Sequence, residues 1–128
     1  MNTDSMCRPS DIVPPSIVVE LDLTDFDADQ RLLAMSGVSL VIFTSVGCAS
    51  CRFAREQLPG LDLAVDRLCW IDAGTNGGVV ERYSVFHLPA LFVVRDGEFH
   101  GPLKSRLTRS ELNAAVAQAL SLTAEELP

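Results

Sequence analysis

Residues 39–51 read Ser39-Leu40-Val41-Ile42-Phe43-Thr44-Ser45-Val46-Gly47-Cys48-Ala49-Ser50-Cys51. From Ser39 to Ser45 there is almost no polar alternation. A strand wetted on one face alternates apolar and polar residues, so an unbroken apolar run predicts a strand covered on both faces, the central strand of an α/β sheet. Val46 to Ser50 supply a turn, and a helix is expected from about Cys51 to Leu58, stopped by Pro59-Gly60. The pair Cys48 and Cys51 therefore falls where a buried strand hands over to a helix.

That placement matters chemically. A C-x-x-C at a helix start can close a small disulfide within one turn. The thiolate is the nucleophile, and helix amides with the positive end of the helix dipole stabilise its charge best at the first cysteine. Cys48 is thus the expected attacking thiol and Cys51, about a turn further in, the resolving one. Arg52 and Arg55 could add positive potential or simply face solvent. Two other readings stay open on the residues alone. One is half of a zinc site, for which the leftover donors Cys7, Cys69, His87 and His100 show no second pair at ligand spacing. The other is an inert pair.

The flanking sequence completes the element order. Ile17 to Leu21 is a β-branched run that predicts a first strand. Asp27 with Gln30 reads as a capping box for a helix over Ala28 to Met35, with Gly37 expected as its C′ residue. Leu68-Cys69-Trp70-Ile71-Asp72 predicts a strand, Ala73 to Gly78 a loop, and Val79 to Tyr83 a short helix. The loop's glycines have a phosphate-loop flavour but lack the lysine, so they read as a turn. Leu91 to Arg95 and Glu98 to Gly101 are strands around a two-residue Asp96-Gly97 hairpin. Thr108 with Glu111 caps a last helix with Leu112, Ala115, Val116, Ala119 and Leu120 at helical spacing. The order is β α β α β α β β α.

Composition bounds the rest. The 128 residues are 48% hydrophobic and 21% charged, which suits one ordinary globular domain. Residues 1–15, ending in Pro14-Pro15, read as a flexible arm, and residues 16–128 as the domain. Ten Lys and Arg against seventeen Asp and Glu leave a charge of −7, so nucleic acid and anionic membrane surfaces are poor partners. The run from Val38 to Cys51 is too short and mixed to span a bilayer. The amino terminus has Asp4 and Asp11 and no continuous apolar stretch, which argues against a secretory signal and for the cytoplasm. Cys69 reads as a small buried hydrophobe, Trp70 as a core residue, and Cys7 as an exposed residue of the arm.

The stretches VIFTSVGCASC, WIDA and YSVFHLPALFVVRDGEF, in this order, resemble the thioredoxin family from about residue 16 to residue 120. The resemblance implies a three-layer α/β/α fold with a mixed central sheet and a cis-proline loop at Leu88-Pro89 packed against the cysteines. It implies Cys48 as nucleophile, Cys51 as resolver, and a substrate groove formed by Gly47, Ala49, Ser50, His87, Leu88 and Pro89. It further implies thiol-disulfide exchange with protein disulfides, an external reductant such as a reductase, and no metal or cofactor in the chain itself. Gly47 stands where the family usually has Trp, Ala49-Ser50 where it has Gly-Pro, and Ile42 where a buried acid often lies beneath the pair. Leu88 is expected to hold a bulky apolar side chain over the disulfide, and His87 is either a cation near the pair or a plain loop residue. These departures keep a second function open, a non-catalytic binding or chaperone-like adaptor for a client protein. The client and the oligomeric state are not legible.

Overall fold

In the computed structural model the described residues are 18–128. The expected arm, Cys7 and Ile17 lie outside them. The elements are β1 (Val19–Leu23), α1 (Ala28–Ala34), β2 (Val38–Thr44), α2 (Ala49–Gln57), β3 (Arg67–Asp72), α3 (Gly77–Arg82), β4 (Ala90–Arg95), β5 (Glu98–Leu103) and α4 (Arg109–Leu120), with a 3-10 turn at Leu58–Gly60 after α2. The element order is the expected one.

The strands form one five-stranded sheet in the order β1-β3-β2-β4-β5. β1 and β2 run parallel to β3, while β4 is antiparallel to β2 and β5. β2 is the central strand, and Ser39 to Phe43 are all buried in it. Its side chains alternate between two cores. Val41 and Phe43 join Leu32 of α1, Val79 of α3, and Tyr83. Leu40 and Ile42 join Ala54 of α2 and Leu112 and Val116 of α4. Helices thus cover both faces, giving the three-layer α/β/α fold with a mixed sheet.

Several boundaries differ from the sequence reading for physical reasons. β1 starts later and runs to Leu23. Asp27 precedes α1 but does not cap it. Its Oδ1 accepts from the Thr24 N–H at 2.8 Å and lies 3.2 Å from Thr24 Oγ1. These bonds hold its carboxyl below the usual carboxylate range. Helix α1 stops at Ala34, and Gly37 is not its C′ residue. Gly37 instead has φ +86° at the entry to β2, its N–H donating to Asp96 Oδ1 at 2.7 Å. A Cβ there would run into the Asp66 carboxylate, which accepts from the Val38 N–H at 2.7 Å.

The short helix α3 takes its cap from a distance. Asp25 accepts from the N–H groups of Val79 at 2.8 Å and Gly78 at 3.2 Å, and its own N–H donates to Asn76 Oδ1 at 2.8 Å. The glycine-rich run is the turn into that helix. The hairpin has the left-handed pair that a type I′ turn demands, Asp96 at φ +53° and Gly97 at φ +79°. β5 runs on through Pro102 to Leu103, tolerated because it is an edge strand.

Candidate functional site

The strand-to-helix turn puts the cysteine pair at the tip of α2. The helix begins earlier than the sequence suggests, at Ala49, because Cys48 is its N-cap. An N-cap side chain normally offers oxygen to an amide left unpaired by the helix. Here the acceptor is sulfur, and the Cys51 N–H points at Cys48 Sγ at 3.2 Å. Cys48 and Cys51 are joined as a disulfide, with Cα atoms 5.1 Å apart. The two sulfurs are unequal in access, Cys48 being half-buried and Cys51 2% exposed. Ser50 Oγ lies 3.5 Å from Cys48 Sγ.

The second loop meets this tip from across the sheet. The Leu88–Pro89 peptide bond is cis. Leu88 packs its side chain against the α1 and α3 side of the core, and its carbonyl oxygen is what faces the pair, 3.9 Å from Cys48 Sγ. The expected apolar cover over the disulfide is therefore a main-chain contact instead. Of the other expected groove residues, Gly47, Ala49, Ser50 and His87 are exposed and Pro89 is half-buried. Ser50, His87 and Pro89 line one shared cleft.

The two arginines of α2 are committed elsewhere. Arg55 pairs with Asp22 at 3.1 Å and lays its guanidinium over the Trp70 ring at 4.5 Å. Arg52 donates to the Val46 carbonyl at 3.4 Å. Trp70 is a core residue, its Nε1–H donating to Glu20 at 2.9 Å.

Ile42, where the resemblance sets a buried acid, is wholly buried opposite Trp70 and Leu91. Among the described residues the buried polar side chains are Ser39, Asn76 and His100, so none of the buried residues is a carboxylate. Cys69 is buried in β3, and burial pushes its thiol up despite a hydrogen bond from Ser39 and the charge of Arg67. His100 is buried, with Nδ1 3.2 Å from the Ala119 carbonyl. No three His, Cys, Asp or Glu side chains among the described residues are grouped to hold a metal ion, and Cys7 lies outside those residues.

The sequence reading missed two exposed apolar residues. Val46 is 86% exposed just before Gly47, and Phe86 91% exposed just before His87. Large apolar side chains next to both site loops were the available signal.

A three-layer fold with a cysteine pair at the N-terminus of α2 and a proline loop facing it defines a thioredoxin-like protein. The comparisons agree. Thioredoxin of Staphylococcus epidermidis, in two strains, is 32% identical over 79 residues, 59% of this chain and 74% of that protein. Thioredoxin from Trypanosoma brucei brucei superposes with a TM-score of 0.59 over 84% of this chain and 89% of that one, at 20% identity. No protein-family model matches. The chain belongs to the thioredoxin family, a family of thiol-disulfide oxidoreductases. None of its helices among the described residues is long and apolar enough to cross a membrane.

Proposed function

We propose that the protein is a cytoplasmic thiol-disulfide oxidoreductase that reduces or exchanges protein disulfides through Cys48 and Cys51. The observation that carries this reading is the asymmetry at the tip of α2. The reachable sulfur receives an amide N–H, which favours its thiolate, and the buried one sits a turn behind.

In the reduced protein the Cys48 thiolate attacks one sulfur of a client disulfide. A Cys48–client bond forms, and the client's other sulfur leaves as a thiolate. The Cys51 thiolate then attacks Cys48 Sγ, the mixed disulfide breaks, and the second client thiolate departs. The client gains two electrons, and the protein ends with the Cys48–Cys51 disulfide. An external reductant, such as a reductase, returns it to the dithiol. Cys51 must lose a proton on the way. With Ile42 beneath the pair, that proton passes to water or to the departing client thiolate rather than to a core carboxylate.

Cys51→Ser tests the assignment. The variant should accumulate a mixed disulfide on Cys48 with a cystine-bearing protein, read by intact mass and peptide mapping. Adducts on Cys69 or Cys7 instead would show the roles to be wrong. The apolar core under the pair favours a second reading, a binding adaptor. That reading expects client binding to be unchanged in Cys48→Ser/Cys51→Ser and no disulfide turnover by the wild type.

A further inference from the structure

A cleft of about 860 Å³ opens beside the cysteine pair. Its walls are the segment before β4 and the segment after β5, and it reaches Ser50 on one side and Pro89 on the other. Leu91, Phe92 and Leu103 give it an apolar lining, and the exposed ring of Phe86 stands in its wall. The volume is that of a site holding several side chains.

The charge of the cleft is opposite to that of the protein. The chain carries −7, yet no Asp or Glu side chain lines this cleft, while Lys104, Arg106 and the Asp29-paired Arg82 do. Lys104 and Arg106 differ from the other basic side chains among the described residues. Arg31, Arg55, Arg82 and Arg109 are held in ion pairs with aspartates. Arg52, Arg67 and Arg95 donate to main-chain carbonyls. Lys104 and Arg106 are exposed and have no ion pair or side-chain hydrogen bond among the described residues. They stand on one loop, with only Ser105 between them.

We propose that the cleft docks an acidic segment of the client protein. An apolar side chain of that segment seats on Leu103 beside Pro89 and the exposed Phe86 ring, while its Asp or Glu side chains meet Lys104 and Arg106. The proposal rests on the thiol-exchange reading, because Ser50 and Pro89 border both the cleft and the pair. A client disulfide at Cys48 therefore brings its flanking residues into the cleft. Opposite charge there selects partners and speeds encounter more than it adds raw affinity.

The test uses the full chain and two synthetic cystine peptides, identical except that the residues flanking the cystine are glutamates in one and lysines in the other. The glutamate peptide should be reduced with a kcat/KM about tenfold higher at low salt, the advantage shrinking as salt screens the pairs. Lys104→Glu/Arg106→Glu should reverse the preference. Lys104→Gln/Arg106→Gln, with circular dichroism verifying its fold, should bring the ratio to about one. Equal, measurable rates for the two peptides in the wild type, or a preference that survives both variants, would overturn the proposal. Fluorescence polarisation on Cys48→Ser/Cys51→Ser separates docking from chemistry. The same glutamate preference in binding, with no reduction by the wild type, would sustain the docking and sink the enzyme. A wild-type dimer in sedimentation that the charge-reversed variant dissolves would make a second copy the occupant and overturn the acidic client.

Discussion

The two faces of the sheet are built from different materials. Under α1 and α3 lies a set of rings: Phe43, Tyr83, Phe92 and Phe99 meet at centroid separations between 5.2 and 5.8 Å, mostly tilted or edge to face. Such pairs add stability beyond the area they bury. Under α2 and α4 the core is aliphatic, Leu40, Ile42, Leu58, Leu68 and Val93 among others, with Trp70 the ring among its buried residues. The aromatic face also holds the buried ionisable groups Tyr83 and Cys69. The buried residues of the aliphatic cluster include no ionisable group. The difference bears on the proposed reading: it sets the chemistry at the helix tip and the facing loop, over an aliphatic core with no carboxylate among its described buried residues.

The largest effect should come from contaminating the aliphatic face. Ile42→Asp removes apolar burial of about 1.5–3 kcal/mol and adds an unpaired buried ion costing several more. Urea unfolding should show the protein close to losing its fold at neutral pH. Burial raises the new carboxyl's pKa, so the loss should be smaller in acid, where the group is neutral, and grow as pH rises. A variant as stable as the wild type would mean that the aliphatic face already holds water or a partner for charge.

Next comes a hole in the ring stack. Phe43→Ala should cost about 3–5 kcal/mol, since the surrounding rings and strands close the cavity only in part. A loss near 1 kcal/mol would show that the ring contacts on this face are not cooperative.

The smallest effect concerns Tyr83, which is 4% exposed and whose hydroxyl has no hydrogen-bond partner among the described residues. Burial, with the nearby Asp29 charge adding to it, pushes this phenol from 10.0 up to about 12. A raised folded pKa gives stability that is whole below pH 10 and is lost as pH climbs through 12, on the order of 2–3 kcal/mol. Tyr83→Phe should change stability by less than about 1 kcal/mol at neutral pH, because no bond is broken, and should remove this share of the alkaline loss. Melting curves across that pH range read both effects.

Legibility followed the range of the forces involved. The run Leu40 to Phe43 announced a doubly covered strand because each residue there is apolar, and the hairpin at Asp96-Gly97 because both positions accept positive φ. Thr108 caps α4 as expected, its Oγ1 accepting from the Glu111 N–H at 3.3 Å. Asp27 misled because the same carboxylate can turn backward to Thr24, and the motif does not say which amide wins. The cap of α3 was invisible, since Asp25 and Val79 meet only after the chain folds. So too was the commitment of Arg55 to Trp70 and Asp22, which removes it from the cysteines.

From sequence alone came the element order, the cysteine pair at a helix start and the proline before β4, because periodicity, turn chemistry and spacing are local properties. Tertiary structure decided that Cys48 sulfur caps α2 and faces the Leu88 carbonyl, that Ile42 lies against Trp70 and Leu91, and that Lys104 and Arg106 stand beside an apolar cleft with no ion pair among the described residues. Those outcomes depend on which distant residues reach a given atom first, and that competition is settled only when the sheet and its covering helices are packed together.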